Sequence, residues 1–162
     1  MSVQALQAQL RTLRATVEDL PAEVFCAKVS QTSGSVGEHV RHSIDHARAV
    51  LALGEGDELT YDARLRGTAV ETDPAIAARE IARICGGLDQ LDDVPPDRPI
   101  LLHIVTEAGR RPSAVTTTLG REIAYVIQHT IHHCALIAVL LERCGVAMPA
   151  RFGYAPSTPV RS

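Results

Sequence analysis

Apolar positions along this chain recur mostly at helical spacing. Leu6, Leu10, Leu13, Val17 and Leu20 follow one another at intervals of four, three, four and three residues, and Pro21 comes directly after them. This spacing places the five side chains on one face of a helix, and the proline favours a stop. The pattern therefore predicts a first helix, packed on one side, that ends near residue 20.

A second helix is predicted from the capping residues that precede it. Ser35 and Glu38 match the S-x-x-E pattern, in which each side chain bonds the backbone N–H of the other residue. We expect this helix to start near residue 36 and to run to about Leu53, because Gly54 and Gly56 then favour its end.

The segment 54–73 is polar, contains three glycines and shows no sustained period, so it is predicted to be a long loop. A third helix is predicted to follow it, since Asp73 is a good N-cap and proline at position 74 suits the first helical turn. The apolar stripe of that helix consists of Ala77, Ile81, Ile84, Leu88 and Leu91. Pro95 and Pro96 then end the pattern.

The second half of the chain changes pattern once. Residues 100–105 and 113–118 are two β-rich runs joined by the turn-like TEAGRRP, which indicates a small β-hairpin. From Leu119 to about Arg143 the chain is apolar on nearly every face, as expected for a buried helix. The sequence thus predicts an all-α fold, a four-helix bundle with a small β-hairpin insert before the last helix, formed by residues 1–162 as a single domain.

Composition narrows the functional classes. The 162 residues are 46% hydrophobic and 22% charged with a net charge of −3, and no basic tail or stripe is present, which argues against a nucleic-acid partner. The N-terminal segment is too polar for a signal peptide, and no run approaches the roughly 18 consecutive apolar residues of a membrane span. We therefore expect a cytoplasmic protein that does not insert into a membrane.

Histidine is the residue type that indicates chemistry. Six of the seven histidines fall in two short stretches, EHVRHSIDH and QHTIHH. His129 and His133 are four residues apart, so a helix places them one turn apart on one face, where two imidazoles can bind one ion. His42 is the preferred third ligand from the facing helix. Three imidazoles suit zinc, nickel, iron or copper and leave coordination positions open.

One observation opposes this ligand set. Val36, Val40, Ile44 and Ala47 form the apolar stripe of the second helix, and His42 lies roughly on its other side. Either His42 lines a polar cleft, or the histidines of this helix are solvated surface residues.

Five further residues are candidates for additional ligands or for supporting roles. His39 and His46 flank His42 on its own stripe. Asp45 either holds a ligand imidazole through its second nitrogen or is an exposed helix carboxylate. Glu122 and Tyr125 precede His129 on its face, and either can act on a metal-bound water, although Glu122 also complements the positive end of its helix.

The stretches SVGEHVRHSIDH and HTIHHCALI together resemble the DinB-like (DinB/YfiT) family, in which one histidine of the second helix and an H-x-x-x-H of the last helix hold a divalent metal. In that pattern a serine precedes the first histidine by seven residues, as Ser35 precedes His42. The H-x-x-x-H falls on His129 and His133. The resemblance implies a four-helix bundle that often forms a homodimer and an open three-histidine site.

The resemblance also implies a range of activities. Some members are transferases that use a low-molecular-weight thiol such as bacillithiol or mycothiol, and others are isomerases or hydrolases. We expect a metal-dependent enzyme of the thiol S-transferase or hydrolase type, with zinc or nickel as cofactor and a small-molecule substrate. The alternative is a non-catalytic, stress-related or dimerisation bundle whose histidines are structural. In the loop YDARLRG, Arg64 and Arg66 either meet an anionic substrate or are solvated, and the second interpretation is favoured.

Overall fold

The computed structural model of the protein describes residues 2–28 and 34–159. Within this part of the chain the fold is mostly helical, with one small sheet. The helices are α1 (Val3–Val17), α2 (Ala22–Cys26), α3 (Val36–Leu51), α4 (Pro74–Gly87) and α5 (Leu119–Arg143). The strands are β1 (Glu58–Thr60), β2 (Pro99–Ile104) and β3 (Ser113–Thr118).

Helices α3 and α4 begin at the predicted capping residues. The Ser35 hydroxyl accepts from the Glu38 backbone N–H at 3.1 Å, and the Glu38 carboxylate accepts from the Ser35 N–H at 2.9 Å. Asp73 caps α4 in front of Pro74. Both α3 and α4 continue as single 3₁₀ turns, Ala52–Gly54 and Leu88–Leu91, which accounts for the slightly longer helices that the apolar pattern predicts.

The four long helices pack in a ring around the core. Helices α1 and α3 each contact both α4 and α5. The predicted stripe of α1 is fully buried at Leu6, Leu10, Leu13 and Val17, whereas Leu20 lies beyond the end of the helix. This arrangement brings α3 directly against α5, the two helices that carry the histidine clusters.

The predicted hairpin is present, but the sheet is larger than predicted. Strands β2 and β3 pair antiparallel, with Pro99 opposite Thr118. Strand β1 pairs parallel to β2 on its other side, with Leu59 opposite Leu102. The prediction of a long loop over residues 54–73 was therefore wrong at β1 and at a 3₁₀ turn, Ala69–Glu71, because three-residue elements are too short to show a period.

Gly37 allows the start of α3 to pack closely. A Cβ at this position would lie 2.0 Å from the Glu71 carbonyl oxygen and 2.6 Å from the Phe25 ring. Only glycine leaves room for the 3₁₀ turn and α2 to lie against this end of the helix.

Helix α5 is long and apolar enough to cross a membrane, judged by length and composition alone. Its most apolar window has a mean hydropathy of 1.5, and half of that window is buried inside the fold. The core helix of a folded domain has the same properties, so this finding by itself assigns no membrane contact.

Ion pairs hold the outer side of α3 to its neighbours. The Asp45 carboxylate accepts from Arg41 and Arg48, each at 2.9 Å, and Arg48 also donates to Glu80 of α4 at 2.8 Å. Arg41 donates to Glu71 at 2.9 Å. Because the Asp45 side chain is only 5% exposed, this network is shielded from solvent more than a surface pair is.

The pH dependence of stability tests this network. Hydrogen bonds from Arg83 and then Arg48 lower the pKa of Glu80 to about 2, below its ordinary value of 4.5. A depressed pKa in the folded state stabilises the protein above pH 4.5, and this contribution is lost as the pH falls toward 2. We expect Glu80→Gln to lower the urea midpoint at pH 7 and to lower it much less at pH 3.

Glu107→Gln is the matched control, because the pair between Glu107 and Arg110 is 72% and 76% exposed. That substitution should change the urea midpoint little at either pH. Equal losses for Glu80→Gln at pH 7 and pH 3 would contradict the assignment.

Candidate metal centre

Histidines of α3 and α5 meet between the two helices. The Nε2 atoms of His42 and His129 are 3.0 Å apart. Each of His42, His129 and His133 has a ring nitrogen within 4.8 Å of one on each of the other two. The side chain of His133 is buried, and those of His42 and His129 are half-buried. His42 thus faces α5 from outside the apolar stripe of its own helix, so the structure places it between the two helices rather than on the open surface.

These three rings are neutral at pH 7. Burial, followed by the neighbouring histidines, lowers the pKa of His42 to about 2, that of His133 to about 3 and that of His129 to about 4. Neutral imidazole is the form that binds a metal ion, so no proton has to be displaced first.

The donor set fits a divalent transition metal. Two ligands at about 2.0–2.1 Å from a tetrahedral ion are separated by roughly 3.3 Å, close to the 3.0 Å between the ring nitrogens of His42 and His129. Three neutral nitrogen donors match the ligand preference of zinc or nickel better than that of magnesium or calcium, which take oxygen ligands.

The flanking histidines occupy different places. The Nδ1 of His39 lies 3.0 Å from the Nδ1 of His133, so one of these nitrogens donates and the other accepts. The Nδ1 of His46 donates to the His42 carbonyl oxygen at 3.0 Å. His132 is exposed, with its ring centroid 5.3 Å from that of His133. Neither His39, His46 nor His132 belongs to the group of three.

A wall of aromatic rings borders the cluster. The ring of His46 stacks between those of His129 and Tyr61, with centroid distances of 4.1 and 4.7 Å. Tyr125 stacks on His129 at 5.5 Å and lies 5.2 Å from Tyr61. The chain has few aromatic residues, and two of its three tyrosines lie beside the histidines.

Glu122 anchors this wall and is not free to act as a base. Its carboxylate is fully buried and accepts from the hydroxyls of Tyr61 and Thr117 and from Arg121, all at 2.8 Å. Burial and the adjacent Glu122 charge raise the pKa of Tyr61, so this hydroxyl stays a donor. Tyr125 is half-buried and remains the better placed of the two predicted candidates for contact with a bound molecule.

Asp45 and the loop arginines complete the predicted residues. Asp45 is buried between Arg41 and Arg48, so it neither holds an imidazole nor lies exposed on the helix. Arg64 and Arg66 are both exposed, and Arg64 lies close enough for its charge to contribute to lowering the pKa values of His42 and His129.

Most of the chain matches one protein family. The model of the DinB superfamily matches residues 5–137, which include α3 and the part of α5 that carries His129 and His133. The chain belongs to the DinB superfamily.

Two solved structures share the fold of this DinB superfamily member. A DinB-like protein from Bacillus subtilis aligns with a TM-score of 0.69 at 18% identity, over 93% of this chain and 96% of the other. A DinB-like protein from Bacillus cereus aligns with a TM-score of 0.62 at 15% identity, over 91% and 93%.

A curated relative has a longer chain. FK506-binding protein 5 of Rhizopus delemar is 32% identical over 101 residues, which are 62% of this chain. The match spans only 26% of that protein's length, about a quarter.

Sequence reasoning missed Tyr61 and overlooked how Glu122 is used. Tyr61 lies in a segment predicted to be a loop, and its partners Glu122 and His46 are distant in sequence. The one signal in the sequence was the scarcity of aromatic residues, since the chain has only three tyrosines.

The Glu122 contact can be tested through stability. Tyr61→Phe removes one donor from a buried carboxylate, so we expect the free energy of unfolding to fall by about 2 kcal/mol in urea denaturation. Tyr154→Phe is the control, because Tyr154 is 60% exposed and should change stability little. If the two variants lose the same amount, Tyr61 does not support Glu122 as described.

Proposed function

We propose that this DinB superfamily protein binds a divalent ion, zinc or nickel, through His42, His129 and His133. The observation that carries the proposal is the meeting of three neutral imidazoles from two facing helices, with ring nitrogens within 4.8 Å of one another. Burying several imidazoles together is costly unless a partner satisfies them, and a shared cation does so.

We further propose that the site is catalytic, with three protein ligands and an open position. A bound divalent ion lowers the pKa of a coordinated water or thiol and so supplies a nucleophile at neutral pH. The half-buried rings of His42 and His129 leave this side of the cluster accessible, and Tyr125 borders it. A thiol S-transferase or a hydrolase, acting on a small molecule with or without a low-molecular-weight thiol, fits such a site.

The competing proposal is a non-catalytic protein in which the metal holds helices together. It is favoured by the position of the cluster, since the three histidines join α3 to α5. The two proposals differ in what metal removal does to stability: a structural site contributes folding free energy, whereas a catalytic site need not.

The packing of α1, α3, α4 and α5 supports the proposal that the fold is the four-helix bundle of this family. Homodimer formation, cytoplasmic location and the absence of nucleic-acid or membrane partners remain predictions from the sequence.

His129→Ala tests metal binding directly. In protein purified without an affinity tag, we expect about one divalent ion per chain in the parent and almost none in the variant, measured by elemental analysis after zinc or nickel is added. Under the catalytic proposal, the melting temperature of the variant should stay close to that of the metal-loaded parent, because the ion then adds little folding free energy.

His103→Ala serves as the control, because His103 lies on β2 beside Glu58 and is not a member of the three-histidine group. A parent protein that takes up no zinc or nickel would overturn the proposed function. A collapse of the fold in His129→Ala, together with strong destabilisation on chelation, would favour the structural alternative.

His39 is expected to orient His133 rather than to bind the ion. A group that hydrogen-bonds the outer nitrogen of a ligand imidazole fixes its tautomer and orientation, and its loss costs roughly 10–100-fold in metal affinity. We therefore expect His39→Gln to weaken cobalt binding by that range while the visible spectrum of the cobalt complex keeps its shape.

The matched control is His132→Gln, since His132 is exposed and makes no ring-nitrogen contact within the described part of the chain. Its cobalt affinity should equal that of the parent. A changed cobalt spectrum in His39→Gln would instead make His39 a direct ligand. Equal cobalt affinities in the two variants would show that His39 does not orient His133.

A further inference from the structure

A cleft lies next to the histidine cluster, between α3 and the segment that follows it. It has a volume of about 540 Å³, within the range of roughly 300–1,000 Å³ usual for small-molecule sites. Its apolar lining comes from both sides. One side is Ala49 of α3 with Ala52 of the 3₁₀ turn that follows, and the other is Leu59, Ala63 and Leu65.

Three of the four charged residues that line the cleft lie beside a polar partner. Asp45 and Arg48 line it, but they bond each other, and Arg48 also bonds Glu80. The carboxylate of Glu58 lies 3.5 Å from the Nε2 of His103.

Arg64 differs from these groups. Its Nε lies 3.5 Å from the Tyr61 carbonyl oxygen, and no carboxylate pairs with it among the residues that the structure describes. Its guanidinium is therefore the cation of the cleft that is available to an incoming anion.

The cleft also adjoins the proposed metal centre. Tyr61, which directly precedes the Asp62–Arg64 part of the segment, stacks on His46, and His46 stacks on His129. On α3, the cleft residues Asp45 and Ala49 follow His42 by three and seven residues, which places them along the same side of the helix. A molecule in the cleft would thus lie beside the histidines.

We propose that this cleft binds a small amphipathic anion. Its apolar part would lie against Ala49, Ala52 and Leu59, and its anionic group would bind Arg64. The inference deepens the proposed function, on which it rests, by assigning the substrate class of that site. It also separates the two loop arginines, since Arg66 does not line the cleft and is solvated.

The test uses two probes of similar shape, naphthalene-1-sulfonate and the neutral 1-naphthamide. Each is titrated into the full-length ¹⁵N-labelled protein, and amide chemical shifts are followed. We expect the sulfonate to shift the amides of Ala49, Ala52, Thr60, Ala63 and Leu65 and to bind more tightly than the amide, with an advantage that shrinks at high salt.

Arg64→Gln and Arg66→Gln form the matched pair of variants in one exposed loop. Arg64→Gln should weaken the sulfonate about tenfold and leave the naphthamide unchanged, since it removes one charge-assisted contact. Arg66→Gln should bind both probes as the parent does. The proposal would be overturned if sulfonate affinity fell equally in the two variants. It would also be overturned if the parent did not prefer the sulfonate, or if only amides outside the cleft shifted.

Repeating the titrations after chelation separates probe binding at Arg64 from metal binding at the histidines. The cleft is expected to bind the sulfonate in both states, because Arg64 is not a ligand. A protein that binds the probe at Arg64 but takes up no zinc or nickel contradicts the proposed function alone. A protein that takes up metal but fails the Arg64 test contradicts only this inference.

Discussion

The packing of α3 against α5 is the constraint on which the candidate site depends. Each helix carries histidines at intervals of three or four residues, and neither helix alone brings three ring nitrogens within 4.8 Å. Their contact sets the 3.0 Å separation between His42 and His129 and the equal separation between His39 and His133. The same contact buries the rings, which keeps them neutral and able to bind a cation.

Polar groups around the cluster are satisfied in a way that assigns them different roles. Glu122 accepts three hydrogen bonds in a fully buried position and holds Tyr61 over the histidines. Asp45 is bonded to two arginines and ties α3 into the surrounding ion pairs. Asp45 and Glu122 were candidates because they lie near the histidines in the sequence. Both instead stabilise the fold, because buried carboxylates require partners.

The small sheet matters because it positions the segment that faces the cluster. Strand β1 is too short to be stable by itself. Its pairing with β2 fixes its position, and so the starting point of the residues that follow it. Tyr61 directly follows β1, and Arg64, three residues later, lines the cleft on the side opposite α3. The segment predicted to be a loop therefore supplies one ring of the aromatic wall and the available cation.

The long helices, the hairpin and the candidate ligand histidines follow from local sequence patterns alone. Local rules suffice there: the capping residues Ser35 and Asp73 start helices, apolar spacing defines their buried faces, and His129 and His133 share a face of α5 because they are four residues apart. Three features could be seen only in the folded chain. His42 faces α5 although it lies off its apolar stripe, and Glu122 is bonded by Tyr61. Arg64 rather than Arg66 lines the cleft. These contacts join residues far apart in the chain, and their geometry follows from how whole elements pack, which no local spacing specifies.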